Sequence, residues 1–205
     1  MCESPPDSTH WYDANGPLYV ARTADEALMA GDLARFAALL RAGGAVLEAG
    51  CGWGRDARAL LSAGFQVTAF DGSADMVRLA RERTGLPVEQ MRFQDIAWQG
   101  AFDGVWACAS LLHVPLAELD GVLARIAGAL KPGGVFYASF KHGPGERQHD
   151  GRRFTDMTPR TLRPRLERAG LEPLDLWISP DERAHAIPNE WVSALSRRGT
   201  HSPAA

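Results

Sequence analysis

Three alternating glycines directly behind a short apolar run constrain this chain more than any other feature. Ala45-Val46-Leu47-Glu48-Ala49 leads straight into Gly50-Cys51-Gly52-Trp53-Gly54-Arg55-Asp56, and a helical pattern follows. That order reads as strand, tight turn, helix. Glycine lacks a Cβ, so Gly50, Gly52 and Gly54 allow positive φ and let the backbone N–H groups and the following helix N-terminus come against a ligand.

The spacing narrows the ligand. A dinucleotide turn runs G-x-G-x-x-G and a P-loop carries Lys-Ser/Thr; here the run is G-x-G-x-G with an acid, Glu48, at the strand end. A carboxylate there repels a diphosphate but suits a cationic head, such as the ammonium and sulfonium of S-adenosylmethionine. A second strand pattern, Gln66-Val67-Thr68-Ala69-Phe70, ends in Asp71 followed by Gly72. A carboxylate at the end of the strand neighbouring the glycine turn can accept hydrogen bonds from both hydroxyls of a ribose.

With these motifs in that order, the sequence resembles the class I S-adenosylmethionine-dependent methyltransferases, and the resemblance extends over roughly residues 45 to 140. Phe93-Gln94-Asp95-Ile96 is similar to the third motif, whose acid meets the adenine amino group in the family. The stretch from Phe102 through Ala109 to Val114 is similar to the fourth strand and its loop, at the methionine end. Leu130-Lys131-Pro132-Gly133-Gly134 is similar to the turn into the fifth strand. Within the family the chain most resembles small bacterial members of the tellurite-resistance and quinone-biosynthesis type. The resemblance implies a Rossmann-like, doubly wound α/β fold: a mostly parallel seven-stranded sheet with one antiparallel strand, helices on both faces and an N-terminal helical lid. It implies S-adenosyl-L-methionine as cofactor, held by Glu48, Gly50, Cys51, Gly52, Gly54, Asp71, Gly72, Met76, Gln94, Asp95, Ile96 and Ala109. Lid side chains can meet the cofactor carboxylate, and Arg22, Tyr12 and Tyr19 are the candidates.

At 205 residues and 45% hydrophobic content, the chain suits one domain. We divide it into an N-terminal cap (1–42), a cofactor-binding core (43–140) and an acceptor side (141–205). A net charge of −3 gives no general attraction to nucleic acid or anionic membrane. No apolar run reaches a membrane span and the polar start is no signal peptide, so a cytoplasmic protein is expected. Cys2, Cys51 and Cys108 have neither disulfide nor zinc spacing, and no metal is expected.

Along the chain, residues 1–9 read as loose and 10–16 as an aromatic-bearing segment. Helices are expected over 24–41, 56–63, 73–84, 117–129 and 160–169, and strands over 88–92, 103–107, 135–140, 171–179 and 191–197. Residues 141–154 read as a long, glycine-rich loop.

Methyl transfer is an in-line displacement, so the protein has to align the acceptor, exclude water and remove a proton where needed. His113, after the fourth strand, is the candidate base. From 141 to 170, eight Lys/Arg face four Asp/Glu, which suggests an anionic small-molecule acceptor. Lys141, Arg147 and Arg152 are its candidate ligands, with Tyr12. The fourth motif lacks the (D/N)-P-P-(Y/F) sequence of base-amino methylation, and Ala107-Cys108 replaces the Pro-Cys of cytosine methylation, so nucleic acid is disfavoured. The competing readings are a methyltransferase acting on tRNA or protein, and a module that binds S-adenosylmethionine or its demethylated product without catalysis.

Overall fold

In chain order the strands are β1 (Ala45–Ala49), β2 (Gln66–Asp71), β3 (Glu89–Gln90), β4 (Phe102–Ala107), β5 (Leu130–Lys141), β6 (Gly145–His149), β7 (Arg152–Asp156), β8 (Leu171–Pro180) and β9 (Glu190–Arg198). The computed structural model describes residues 8–181 and 189–200; Cys2 and the expected loose residues 1–7 lie outside them. Seven strands form one sheet in the order β3-β2-β1-β4-β5-β9-β8, with β9 antiparallel to both neighbours and the remaining pairs parallel.

The helices are α1 (Ser8–Arg22), α2 (Ala30–Ala37), α3 (Arg55–Ser62), α4 (Ala74–Thr84), α5 (Leu116–Ala129) and α6 (Pro159–Arg168). Both faces of the sheet are covered, which is why β1, β4 and β5 read as continuous apolar runs instead of alternating ones. Phe36 of α2 and Leu60 of α3 pack with Val46, Trp106 and Tyr137 on one face. On the other, Leu119, Leu123 and Ile126 of α5 and Leu162 and Leu166 of α6 pack with Leu47, Val105 and Phe136. Ser73 caps α4 by accepting from the Met76 amide at 3.2 Å, and Gly85 ends that helix at φ +72°.

Four expectations need correction. Residues 8–22 form a helix kinked at Asn15 (φ −124°), where Pro17 has no N–H to donate to the Asp13 carbonyl and the Asn15 side chain bonds back to the Trp11 carbonyl through Nδ2. Residues 24–41 do not make one helix: Asp25 caps a short 3₁₀ turn, Glu26–Met29, before α2 begins. The third strand shrinks to two residues at the sheet edge. The expected loop after β5 is the hairpin β6–β7, turned by Asp150 and Gly151, both at positive φ (+52° and +71°).

Asp103 ties the N-terminal ends of the central strands together. Its carboxylate accepts from Arg41 at 3.0 Å, from Lys131 at 2.9 Å and from the Ala45 amide that starts β1 at 2.8 Å. Burial alone would raise this carboxyl, but Arg41, Lys131 and the amide outweigh it and hold the group well below the usual carboxylate range. A depressed carboxyl stabilises the fold above its unfolded pKa of about 4 and loses that contribution as pH falls through its folded value. Asp103→Asn should therefore lower stability by about 1–2 kcal/mol at pH 7. Urea unfolding at pH 7 and at pH 3 should show the deficit shrinking at the lower pH.

Candidate functional site

The loops at the C-terminal ends of β1, β2 and β4 open into a cleft of about 400 Å³, at the point in the sheet where the strand order reverses. Its floor is the glycine turn. The Gly50 and Cys51 amides both donate to the Phe70 carbonyl of β2, at 3.0 and 2.9 Å. The Gly52 amide donates to Asp71 Oδ2 at 2.8 Å, and the Ser73 amide to Asp71 Oδ1 at 2.9 Å. Each carboxylate oxygen has a second lone pair, so Asp71 can be locked in place and still accept from a ligand. At Gly50 (φ +75°) a Cβ would come 2.6 Å from Ser110 Cβ, so the turn and the β4 loop meet only because the side chain is missing.

Glu48 lies beneath this turn, 3% exposed, and its Oε2 is buried with no hydrogen-bond partner among the described residues. Burial pushes its carboxyl well above the usual range and nearby Asp56 adds to the rise, while Arg55 and the Ala57 amide act against it. Arg55, also in the cleft wall, pairs with Asp56 through Nε and Nη2 at 2.7 and 3.1 Å. Burial alone would lower the Arg55 pKa, but Asp56 reverses this and raises it.

After β4 the chain turns sharply. Ala109 is held left-handed (φ +50°) while its amide donates to Ser139 Oγ at 2.8 Å, and Ser110 Oγ donates to the Ala49 carbonyl at 2.8 Å. A non-glycine residue in this region costs about 1 kcal/mol. The short turn Leu111–His113 then presents His113 to the cleft. His113 Nδ1 lies 2.7 Å from the Arg153 carbonyl, which can only accept, so Nδ1 carries the hydrogen. His113 Nε2 is left as acceptor for the Tyr12 hydroxyl of α1 at 2.7 Å.

The structure brings Tyr12, Glu48, Gly50, Cys51, Gly52, Asp71, Gly72, Met76, Gln94, Ala109 and His113 to one cleft, together with Tyr19. The other candidates lie elsewhere. Gly54 (φ +83°) caps α3 outside the cleft wall, and a Cβ there would come 2.9 Å from Thr84 Cγ2 of α4. Arg22 is exposed at the end of α1, away from the wall. Asp95 is exposed at the end of the 3₁₀ turn that carries Gln94, outside the cleft wall, and Ile96 is buried in the core.

All three expected anion ligands are engaged outside the cleft wall. Lys141 is buried against Asp181 at 2.5 Å and the Trp191 ring at 3.9 Å. Arg147 pairs with Asp156 at 2.5 Å and lies over Phe154. Arg152 stacks on Trp11 at 3.9 Å. Basic residues in a hairpin alternate between faces, so charge count alone could not tell which would turn inward. Arg153, not singled out from the sequence, is the hairpin arginine in the cleft wall, and it pairs with Glu146 at 3.0 Å. Arg55 was also missed as a cleft residue, although its place directly after the third glycine was the available signal.

The fold and this cleft resemble those of the class I S-adenosylmethionine-dependent methyltransferases. The orphaned buried acid, the Asp71 carboxylate at the β2 end and the glycine floor fit that cofactor's cationic, ribose-bearing character. Residues 46–134 match the family described as "Methyltransferase domain". The chain is 32% identical over 139 residues to the ubiquinone biosynthesis O-methyltransferase of Xanthomonas axonopodis pv. citri, an alignment covering 64% of this chain and 56% of that protein. It thus spans little more than half the length of the curated relatives it matches. Among solved structures it is similar to Burkholderia thailandensis 1,6-didemethyltoxoflavin-N1-methyltransferase, determined with S-adenosylhomocysteine bound (TM-score 0.73, 25% identity, 96% of this chain and 93% of that one). An S-adenosylmethionine-dependent methyltransferase of Methanosarcina mazei shares the fold at 16% identity, with a TM-score of 0.71 over 80% of this chain and 97% of that one.

Glu48 sets opposing demands on stability and binding. Because its folded pKa is raised, its contribution to stability is present below the unfolded value of about 4.3 and is lost as pH rises through the folded value. The ligand-free Glu48→Gln protein should therefore gain melting temperature over wild type at pH 8.5 relative to pH 5.5. By calorimetry the same substitution should weaken S-adenosylhomocysteine, whose ammonium loses its buried counter-charge, by about tenfold.

Proposed function

We infer that the protein transfers a methyl group from S-adenosylmethionine to a small-molecule acceptor that gives up a proton during transfer. The observation that carries this reading is the chain of hydrogen bonds from Tyr12 through His113 to the Arg153 carbonyl, at the edge of the cleft floored by Glu48 and Asp71. When bound, the cofactor supplies a methyl group on a sulfonium sulfur. Glu48 faces its cationic end, Asp71 its ribose, and Met76, Phe93 and Gln94 its base.

On the acceptor side, the hairpin carbonyl holds His113 in the Nδ1–H form, leaving Nε2 to receive a proton. An acceptor hydroxyl or N–H can reach Nε2 through the Tyr12 oxygen, or directly once Tyr12 turns aside. The names of the similar proteins include both an oxygen and a nitrogen methyltransferase, and a neutral imidazole serves either. Tyr12 and Tyr19 meet edge to face with centroids 5.0 Å apart, forming an aromatic wall suited to a compact organic acceptor.

The test is transfer of radiolabelled methyl from S-adenosylmethionine into a cell extract, separated into small-molecule, RNA and protein fractions. Label should enter the small-molecule fraction with wild type and be lost with Asp71→Ala; label in RNA or protein would overturn the acceptor assignment. On the identified acceptor, His113→Ala should lower turnover by about 100-fold and leave S-adenosylhomocysteine affinity within about twofold. Unchanged turnover would remove His113 from the chemistry.

A further inference from the structure

Arg55 stands in the cleft wall among three acids, Glu48, Asp56 and Asp71, with its side chain only 15% exposed. Its Nε and Nη2 form a planar fork onto Asp56. A guanidinium has five N–H donors and this fork uses two, so the other three point away from Asp56. Asp56 itself cannot turn. Its Oδ2 also accepts from the indole N–H of Trp106 at 2.9 Å, and Trp106 is fully buried on β4. Trp106 is in turn stacked on Tyr137, with centroids 3.9 Å apart, and the Tyr137 hydroxyl donates to Asp32 at 2.6 Å. The result is a rigid line running from the surface of α2 through the core to one guanidinium at the cleft.

A second, independent feature lies beside it. Glu48 Oε2 is buried in the same cleft without a hydrogen-bond partner among the described residues, and Arg55 lines the same wall, where its charge acts on the Glu48 carboxyl. An orphaned carboxylate next to an immobilised guanidinium is the complement of a group carrying an ammonium and a carboxylate on one carbon, an α-amino acid. We propose that Arg55 binds the carboxylate at the methionine end of S-adenosylmethionine, with Asp56 and Trp106 as positioning residues that fix its guanidinium. The assignment rests on reading the cleft as the S-adenosylmethionine site, and it moves the carboxylate anchor from the lid residue Arg22 to the first residue of α3.

Calorimetry with two ligands tests it. S-adenosylhomocysteine carries the amino-acid end, whereas 5′-methylthioadenosine keeps the adenosine and the sulfur but lacks that end. Arg55→Gln combined with Asp56→Asn removes both charges of the pair, so Asp56 is not left as an unpaired buried carboxylate, and a thermal melt verifies folding. This variant should lose about tenfold or more in affinity for S-adenosylhomocysteine and less than twofold for 5′-methylthioadenosine. Trp106→Phe keeps the ring and deletes the N–H, and should show the same selective loss, about threefold. Arg22→Ala should change neither ligand. Equal losses for both ligands, or an undiminished S-adenosylhomocysteine affinity, would overturn the proposal. If wild type binds neither ligand, the reading of the cleft fails and the assignment of Arg55 falls with it.

Discussion

Two amides on one carbonyl set the position of everything in the cleft. Gly50 and Cys51 both donate to the Phe70 oxygen, so the chain leaving β1 is bound to β2 at the moment it turns. Were that turn to relax, Gly52 would leave Asp71, α3 would shift its N-terminus, and Arg55 and Asp56 would move with it. The bond depends on the register that places Ala49 opposite Phe70. That register in turn depends on a β1 apolar on both faces, gripped between the α2–α3 layer and the α5–α6 layer. Core packing thereby sets the ligand geometry through two short backbone bonds.

The electrostatics of the cleft run against stability. Glu48, Asp56 and Asp71 line the cleft around Arg55, and both Glu48 and Asp71 have their carboxyls raised by burial. At Asp71 the Ser73 and Gly52 amides offset part of that cost; at Glu48 little does. A fold optimised for itself would put a neutral residue at the end of β1, or a partner beside it. At the opposite edge of the sheet, Asp103 of the neighbouring β4 accepts from Arg41, Lys131 and the Ala45 amide that starts β1, and it is stabilising. The N-terminal edge of the parallel strands thus carries a satisfied carboxylate, on β4, and the C-terminal edge an orphaned one, on β1, and the second is the edge where ligands of open α/β sheets bind.

The sheet was readable because its determinants are local: apolar runs, positive-φ glycines, and a Ser cap with a Gly stop at α4. What failed was non-local or contradicted by local signals. Asn15-Gly16-Pro17 looks like a helix breaker, yet α1 runs through it with a kink, since Gly16 packs where a Cβ would meet Asp75 Oδ2 at 2.0 Å. Asp150-Gly151 is a hairpin signal in its own right, masked by the glycines and charges around it. The cleft residues on the sheet side fell where the motifs pointed. The acceptor-side arginines did not, because the direction of a side chain in a two-stranded ribbon depends on which face packs, and here that face is set by α1, a helix far away in sequence.

The contrast between the two halves of the cleft has a structural origin. The floor is made by strand ends that cannot move without opening the sheet. The opposite wall is made by α1, the turn carrying His113 and the β6–β7 hairpin, which hold one another. Arg152 stacks on Trp11, the Arg153 amide donates to Ser8 Oγ at 3.0 Å, and the Arg153 carbonyl accepts from His113. Thr155 Oγ1 donates to the Val114 carbonyl at 2.7 Å, fastening the hairpin to the same turn. One residue, Arg153, therefore fixes the start of α1 and the tautomer of His113 through its backbone while its side chain lines the cleft. A change in hairpin sequence can alter the wall by its side chains and leave those backbone bonds in place, so the shape and charge of the wall can vary without disturbing His113 Nε2 or the glycine floor.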